Sequence, residues 1–489
     1  MGTEENNRPA AKFDTFPDEI LQEILAFCLC NRLRNPMGHM KEWQRLVHVC
    51  QRWRRIIYGS PSFFDLHLYC SAETPFKNNL SHWPEFPLTL HYVMQNDLQE
   101  DDYDDILHAL HCDRVHSIEL VVTDVFHPRL EVGEVLKHPF PVLTHLDITG
   151  PDEDFEDVIV RDPELVAPRL QHLRLDAFIY LPLLDFLSSA HYLVSLQLEN
   201  IPEGGYIAPG DLVRGLAVLS SLRILCITFP LWLTLTPWER PSPDPTTHAV
   251  LPALTHFVFR GECNYLEVLA ANISAARVED VQIEYLMPEM PEHWDEPPVE
   301  VEARELSQLI ERTGYFGFAK FSRAQVIFDV RRAHIKFYRP QGEHHQAQFS
   351  LTLRYTAPLP LAKLNFPVPR MARILGELVV LFSDVGHLFI NVENHGKKDR
   401  FDTAKWLPLL RLFPAVEALH VSGRLAAHLA TVLDHIAEER ITDVLYALRS
   451  LRLGDGDELV GSAGQFLAWR RYTGRPVTVV KSSQNTFAE

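Results

Sequence analysis

One apolar pattern recurs along most of this 489-residue chain. An apolar residue is followed, three and five places on, by two more. It reads Leu143, Leu146, Ile148; Leu170, Leu173, Leu175; Leu193, Leu196, Leu198; and Leu222, Leu225, Ile227. Val115, Ile118, Leu120 precede these, and Leu254, Phe257, Phe259 and Val278, Val281, Ile283 follow. Later copies begin at Val385, Val416 and Leu448. From 115 to 278 the copies start 28, 27, 23, 29, 32 and 24 residues apart. Alternate residues of a strand share a face, so the last two apolar positions of each copy point one way and their neighbours the other. A turn precedes each strand, often marked by proline: Phe140-Pro141, Ala167-Pro168, Leu251-Pro252 and Phe413-Pro414. Helix-like stretches lie between, at 181–189, 209–219 and 265–273. A unit of one strand and one helix cannot bury both faces alone, so neighbouring units must stack.

The spacing resembles that of leucine-rich repeats, although the consensus Asn is mostly missing, so the array is leucine-rich-repeat-like. Such an array also explains how one chain of this length can fold. The register breaks after Leu286. Pro-rich stretches at 230–245 and 288–301 read as exposed loops. Strand-like runs at 325–338 and 348–355, separated by Pro340-Gln341-Gly342-Glu343-His344-His345, predict a hairpin-like insertion. Residues 465–472 predict a capping helix.

Composition narrows the partners. Apolar residues make up 46% and charged ones 23%, which fits a folded chain. The net charge of −19 makes it a poor general binder of nucleic acid, because phosphate contact needs clustered cations. The seven cysteines are dispersed without a CxxC and fit a reducing compartment. The first 14 residues have no signal-peptide core, and no apolar run approaches the ~18 residues of a membrane span. A cytoplasmic or nuclear protein without membrane contact is expected.

The N-terminal stretch differs from the repeats. Phe16-Pro17-Asp18-Glu19-Ile20-Leu21 leads into Ile24, Leu25, Cys28 and Leu29 at helical spacing. Pro17 suits a first helical turn, and the acidic pair beside it suits the helix dipole. A second stripe runs Trp43, Leu46, Val47, Cys50, Trp53, Ile57, and Gly59-Ser60-Pro61 stops it.

This stretch, roughly residues 12 to 66, resembles an F-box. The family shows Leu-Pro-x-Glu-Ile-Leu, then Val-Cys-x-x-Trp-Arg, then Pro-x-Leu-Trp. Here Phe16 stands for the first Leu and Phe64 for the last Trp, and the segment 30–44 is longer than in many members. The resemblance implies a small helical bundle that binds the Skp-family adaptor of an Skp–cullin–F-box ubiquitin ligase. By the same resemblance Pro17, Ile20, Leu21, Ile24, Leu25, Val49, Cys50 and Trp53 form or support the adaptor face. The expected fold is α/β: an N-terminal helical F-box-like module followed by a curved leucine-rich-repeat-like solenoid, strands inside and helices outside. The expected organisation is a tail at 1–11, the F-box-like domain at 12–66, the repeat domain at 67–480 with its insertion at about 324–355, and a tail at 481–489.

No catalytic motif stands out. There is no phosphate loop, no GxSxG and no Cys nucleophile signature. His108, His111, Cys112 and His116 lack a second ligand pair at finger-like spacing, and His428 and His435 share one helix face. No cofactor or metal is expected, and no enzymatic role. The polar residues between the repeat's apolar positions are the candidates for target binding: His145, His172, Arg174, Gln197, His256, Arg260, His387, His420 and Arg452. Arg174, Arg260 and Arg452 are the candidates for an acidic or phosphorylated ligand. The expected role is substrate recognition within the ligase, with an unknown protein as target. The alternative is an F-box scaffold without ubiquitination.

Overall fold

The computed structural model describes residues 16–30, 43, 45–60, 63–64, 66–70, 86–94, 112–122, 136, 138–150, 159–160, 165–177, 179–180, 183–230, 248–287, 304–312, 321–329, 331–339, 348–355, 367–379, 382–392, 403–421, 425–453 and 463–480. The expected tails, the acidic loop at 288–301, most of the 230–245 loop, the insertion's 340–347 connection, and His108 and His111 lie outside them. The fold is mixed α/β with a large, mostly parallel sheet. Two compact units divide the chain, Met1–Leu173 and Arg174–Glu489.

The first unit opens with helices α1 (Asp18–Cys30) and α2 (Gln51–Gly59). Strands β1 (Leu68–Cys70), β2 (Leu88–Met94), β3 (Val115–Val122) and β4 (His145–Thr149) then pair in sequence order, all parallel. Short β5 (Ile159–Val160) follows, and β6 (His172–Asp176) spans the division. The helices pack directly on the strands' approach: Trp43 and Tyr58 meet Phe86 edge-on at 5.4 and 5.5 Å. Trp43 and Phe86 are fully buried.

The second unit carries β7 (Ile179–Tyr180), α3 (Leu183–Ser189), β8 (Ser195–Glu199), α4 (Pro209–Leu216), β9 (Ile224–Thr228), β10 (Ala249–Val250) and β11 (His256–Gly261). After these come α5 (Cys263–Ala271), β12 (Ile273–Ser274), β13 (Asp280–Met287), α6 (Arg304–Arg312), β14 (Arg323–Phe328), β15 (Arg332–Tyr338) and β16 (Phe349–Tyr355). The chain closes with α7 (Pro367–Glu377), β17 (His387–Val392), α8 (Thr403–Arg411), β18 (Ala418–Val421), α9 (Leu425–Glu438), β19 (Ser450–Leu453), α10 (Gly464–Tyr472) and β20 (Thr478–Val479).

The repeat motif is written into the backbone. Just before most of these strands, the first apolar residue donates its N–H to the carbonyl three residues back, as in Leu143 to Phe140, Leu170 to Ala167, Leu254 to Leu251 and Val416 to Phe413. Those are β-turns with Pro141, Pro168, Pro252 and Pro414 second, where a fixed φ near −65° is already suitable. The next residue's carbonyl then accepts two successive N–H groups from the following copy. Val194 O takes Arg223 and Ile224, Arg223 O takes Thr255 and His256, and Thr255 O takes Glu279 and Asp280. Gly386 O and Glu417 O repeat the arrangement for the last copies, and Thr144 O does so within the first unit. The apolar positions are buried throughout, Leu193, Leu222, Leu225, Ile227, Val416 and Leu451 completely.

The insertion is a three-stranded meander rather than two runs. Asp329 and Arg332 bond to each other's backbone and break the first run into β14 and β15. β15 is antiparallel to both neighbours, whereas β13 pairs β16 and β14 pairs β17 in parallel. The register change after Leu286 is therefore a reversal of spatial order: β16 takes the place next to β13, and the parallel run resumes from β14.

Gly261 ends β11 against an aromatic cluster. A Cβ there would lie 2.7 Å from Phe229 and 2.8 Å from Phe259. Tyr265 sits beside both rings, its hydroxyl donating to Ile207 O at 3.0 Å, so the rings have no room to retreat. Gly261→Ala is expected to cost about 1–3 kcal/mol in chemical denaturation.

Glu267 on α5 caps α6, accepting from the N–H groups of Glu305 at 2.8 Å and Leu306 at 3.3 Å. Burial pushes its carboxyl up from 4.5 to about 7, against the lowering effect of those two hydrogen bonds. The folded chain thus holds a proton through this window that the unfolded chain has released. The group's contribution to stability is present at low pH and falls as pH rises from about 4.5 to 7. Glu267→Gln keeps an acceptor oxygen. It is expected to remove about 2 kcal/mol of the stability difference between about pH 5 and 7.5, measured as the pH dependence of the denaturation midpoint.

Candidate functional site

Helix α1 is apolar on two sides, and the fold separates them. Leu21, Leu25 and Leu29, each four residues apart, are 1%, 0% and 2% exposed. Ile20 and Phe27 on the other side are 46% and 71% exposed, with Ile24 half-buried between them and Pro17 exposed one turn before. Of the implied adaptor residues, Leu21 and Leu25 therefore lie in the core. Pro17, Ile20 and Ile24 form an outward stripe, and Phe27 extends it. Among the described residues eleven large apolar side chains are exposed, and four of them, Ile20, Phe27, Val49 and Phe63, fall within this short helical stretch. Isolated exposed apolar residues are ordinary, and these four fall in a stretch of fewer than fifty residues.

The second stripe is not one helix. Residues 43 and 45–47 are helical, His48 and Val49 form a turn, and a new helix starts at Gln51. Cys50 causes the break: its backbone is extended (φ −157°, ψ 167°) and its Sγ caps α2 by accepting from Trp53 N at 3.4 Å. Val49 is left 59% exposed at the turn, and Cys50 and Trp53 are half-buried. Asp18 fixes the two helices relative to each other. Its carboxylate takes Arg52 Nε at 2.8 Å and an Arg55 guanidinium nitrogen at 3.1 Å. The Arg52 hydrogen bond is the main reason its pKa lies below the usual value.

The sheet's polar face holds the other candidates. In the first unit, His145 is exposed and its ring stacks on that of half-buried His172 at 4.3 Å. Thr144 Oγ1 donates to His116 O at 3.0 Å and pairs with His145 Nδ1 at 2.9 Å. In the second unit Thr255 and His256 repeat that arrangement, with Thr255 Oγ1 on Arg223 O at 3.1 Å and on His256 Nδ1 at 2.8 Å. Part of the histidine recurrence is thus a local strand-start device.

Two arginines singled out for an anionic ligand already have carboxylates. Arg174 reaches Asp176 at 2.7 Å and Glu199 at 3.0 Å, and Arg260 faces Glu284 at 3.5 Å. Gln197 donates to Ser195 Oγ at 3.0 Å. His387 is exposed beside Arg323 and Ala418 in register. His420 lies opposite Arg452 and meets Phe389 edge-on at 4.6 Å. Sequence reading missed the cations of the insertion, Arg323, Arg332, Lys336 and Arg354, which share this face through strand alternation. The period-2 pattern of β15 could have found them.

Burial pushes the Cys226 thiol up to about 12, so it stays protonated. Among the described residues no group of three or more His, Cys, Asp or Glu side chains is placed to hold a metal ion. No described helix is long and apolar enough to cross a membrane. No family model and no curated protein matches this chain.

Proposed function

We propose that this chain is the substrate-recognition subunit of an Skp–cullin–F-box type ubiquitin ligase. The outward stripe of α1 docks on the Skp-family adaptor, and the polar face of the sheet holds a target protein. The observation that carries the reading is the division of α1 into a buried leucine side and an exposed stripe of Pro17, Ile20, Ile24 and Phe27. A helix needs only one apolar side to join its own fold, and here a second is left for a partner. The parallel pairing and the shared strand-start carbonyls support a solenoid as the receptor body. Ubiquitin transfer then belongs to other subunits, and this chain contributes proximity.

The reading is tested by reconstituting the full chain with purified Skp-family adaptor and cullin core. The expected result is a complex containing all three, and, in cells, a set of proteins whose ubiquitination needs both the helical stretch and the repeats. Binding of the adaptor without cullin would instead assign a scaffold role, and no adaptor binding at all would overturn the reading.

A further inference from the structure

The polar face carries its charges unevenly. Where β6 to β13 place arginines, carboxylates answer them: Asp176 and Glu199 for Arg174, and Glu284 for Arg260. The meander departs from this. Residues 321–339 hold five cations, Arg323, Arg331, Arg332, Lys336 and Arg339, against one carboxylate, Asp329, in a chain whose net charge is −19. Alternation puts Arg332 and Lys336 of β15 and Arg354 of β16 on the polar face, while Ala333, Ile335, Phe337, Leu351 and Leu353 are buried on the other side.

The register brings like charges together. Arg332 stands directly opposite Arg354 in the antiparallel ladder, an arrangement that destabilises a sheet. Arg354 has Glu284 at 3.0 Å, but that carboxylate is shared with Arg260. Among the described residues Arg332 pairs with Asp329, at the turn, at 3.3 Å, and is 48% exposed. Lys336 lies between Gln325 and Ser350, and Arg323 between Tyr338 and His387, so no carboxylate faces either in register. His334, between Arg332 and Lys336, is held neutral: burial first, then those two cations, bring its pKa down to about 4.

We propose that the exposed face of β14–β16 binds an anionic segment of a partner protein, its carboxylate or phosphate groups held by Arg332, Arg354 and Lys336. Arg332 and Lys336 are four residues apart on one strand, roughly 13 Å, so an extended segment with acidic groups at about that interval reaches both ends. A guanidinium pair suits a planar carboxylate or a phosphate through forked hydrogen bonds. A bound anion also relieves the Arg332–Arg354 repulsion. The inference rests on the reading of this face as target-binding and is independent of adaptor docking.

The test is selection of peptides by the full chain from three degenerate libraries, identical except that two positions four residues apart carry Ser, phosphoserine or Glu. A single-stranded RNA decamer is the fourth probe. The expected result is at least about ten-fold enrichment of the phosphoserine or Glu library over Ser. Which of the two is preferred identifies the source of the anion. Arg332→Glu with Lys336→Glu is expected to abolish that enrichment, and Arg332→Gln with Lys336→Gln to reduce it, both without a fall in melting temperature. Arg214→Glu, on α4, is expected to leave it intact. Equal capture of all three libraries overturns the inference while leaving the target-binding reading standing. Capture of none overturns both. Enrichment that survives in the Glu and Gln variants, or RNA bound as tightly as the anionic peptides, also overturns it.

Discussion

Replacing Ile20 and Ile24 together by Asp is expected to weaken binding of the Skp-family adaptor by at least about 100-fold, or about 2.7 kcal/mol. The chain itself is expected to lose no more than about 1 kcal/mol, because neither residue lies in the core. Ile20 is 46% exposed and Ile24 half-buried, so the carboxylates stay in water until a partner covers them. Docking would then bury two unpaired charges, which is what removes affinity. The inner side of the same helix should behave in the opposite way. Leu25 is 0% exposed, so Leu25→Ala is expected to cost about 2–5 kcal/mol of stability and to leave the affinity per folded molecule nearly unchanged. Isothermal titration beside urea denaturation of the same proteins separates the two. Equal affinity losses from both sides of the helix would mean that α1 has no outward docking face.

The second large effect lies at the other end of the chain. Arg470 on α10 is 3% exposed, and its guanidinium donates to Tyr446 O at 3.2 Å and Leu448 O at 2.7 Å. Burial lowers its pKa, and nearby Arg475 adds to the effect. These two carbonyls belong to a turn in which Leu445 is held at φ 49°, a left-handed conformation that a leucine rarely adopts. Arg470→Ala leaves both carbonyls without that donor, removes the packed stem and releases the turn. A loss of about 3–5 kcal/mol is expected, measured by denaturant unfolding. Arg470→Met restores the stem alone and is expected to recover only about 1 kcal/mol of it. Full recovery by Met would show that packing, rather than the hydrogen bonds, holds the turn.

Leucine spacing made the parallel strands readable, and the prolines made their turns readable, because both effects act within a few residues. The helices at 183–189, 209–216 and 263–271 were visible for the same reason. What escaped depends on distance along the chain. Arg354 meets Glu284 across 70 residues, and only the reversed order of β14 to β16 brings them together. Arg174 and Arg260 looked available until the fold placed Glu199 and Glu284, each more than twenty residues away, beside them. The N-terminal helix was ambiguous for a different reason. Both of its sides are apolar, so periodicity found the helix without telling Leu21 from Ile20. The break at Val49 was hidden because a cysteine rarely caps a helix, and Cys50 does so here through its sulfur.

The most direct measurement is size-exclusion chromatography with multi-angle light scattering on the unmodified full chain mixed with purified Skp-family adaptor at micromolar concentration. A single peak at the summed mass of one copy of each is the expected result. Two separate peaks, with Ile20, Ile24 and Phe27 as solvent-accessible in the mixture as in the chain alone, would contradict the assignment of this helix as a docking element.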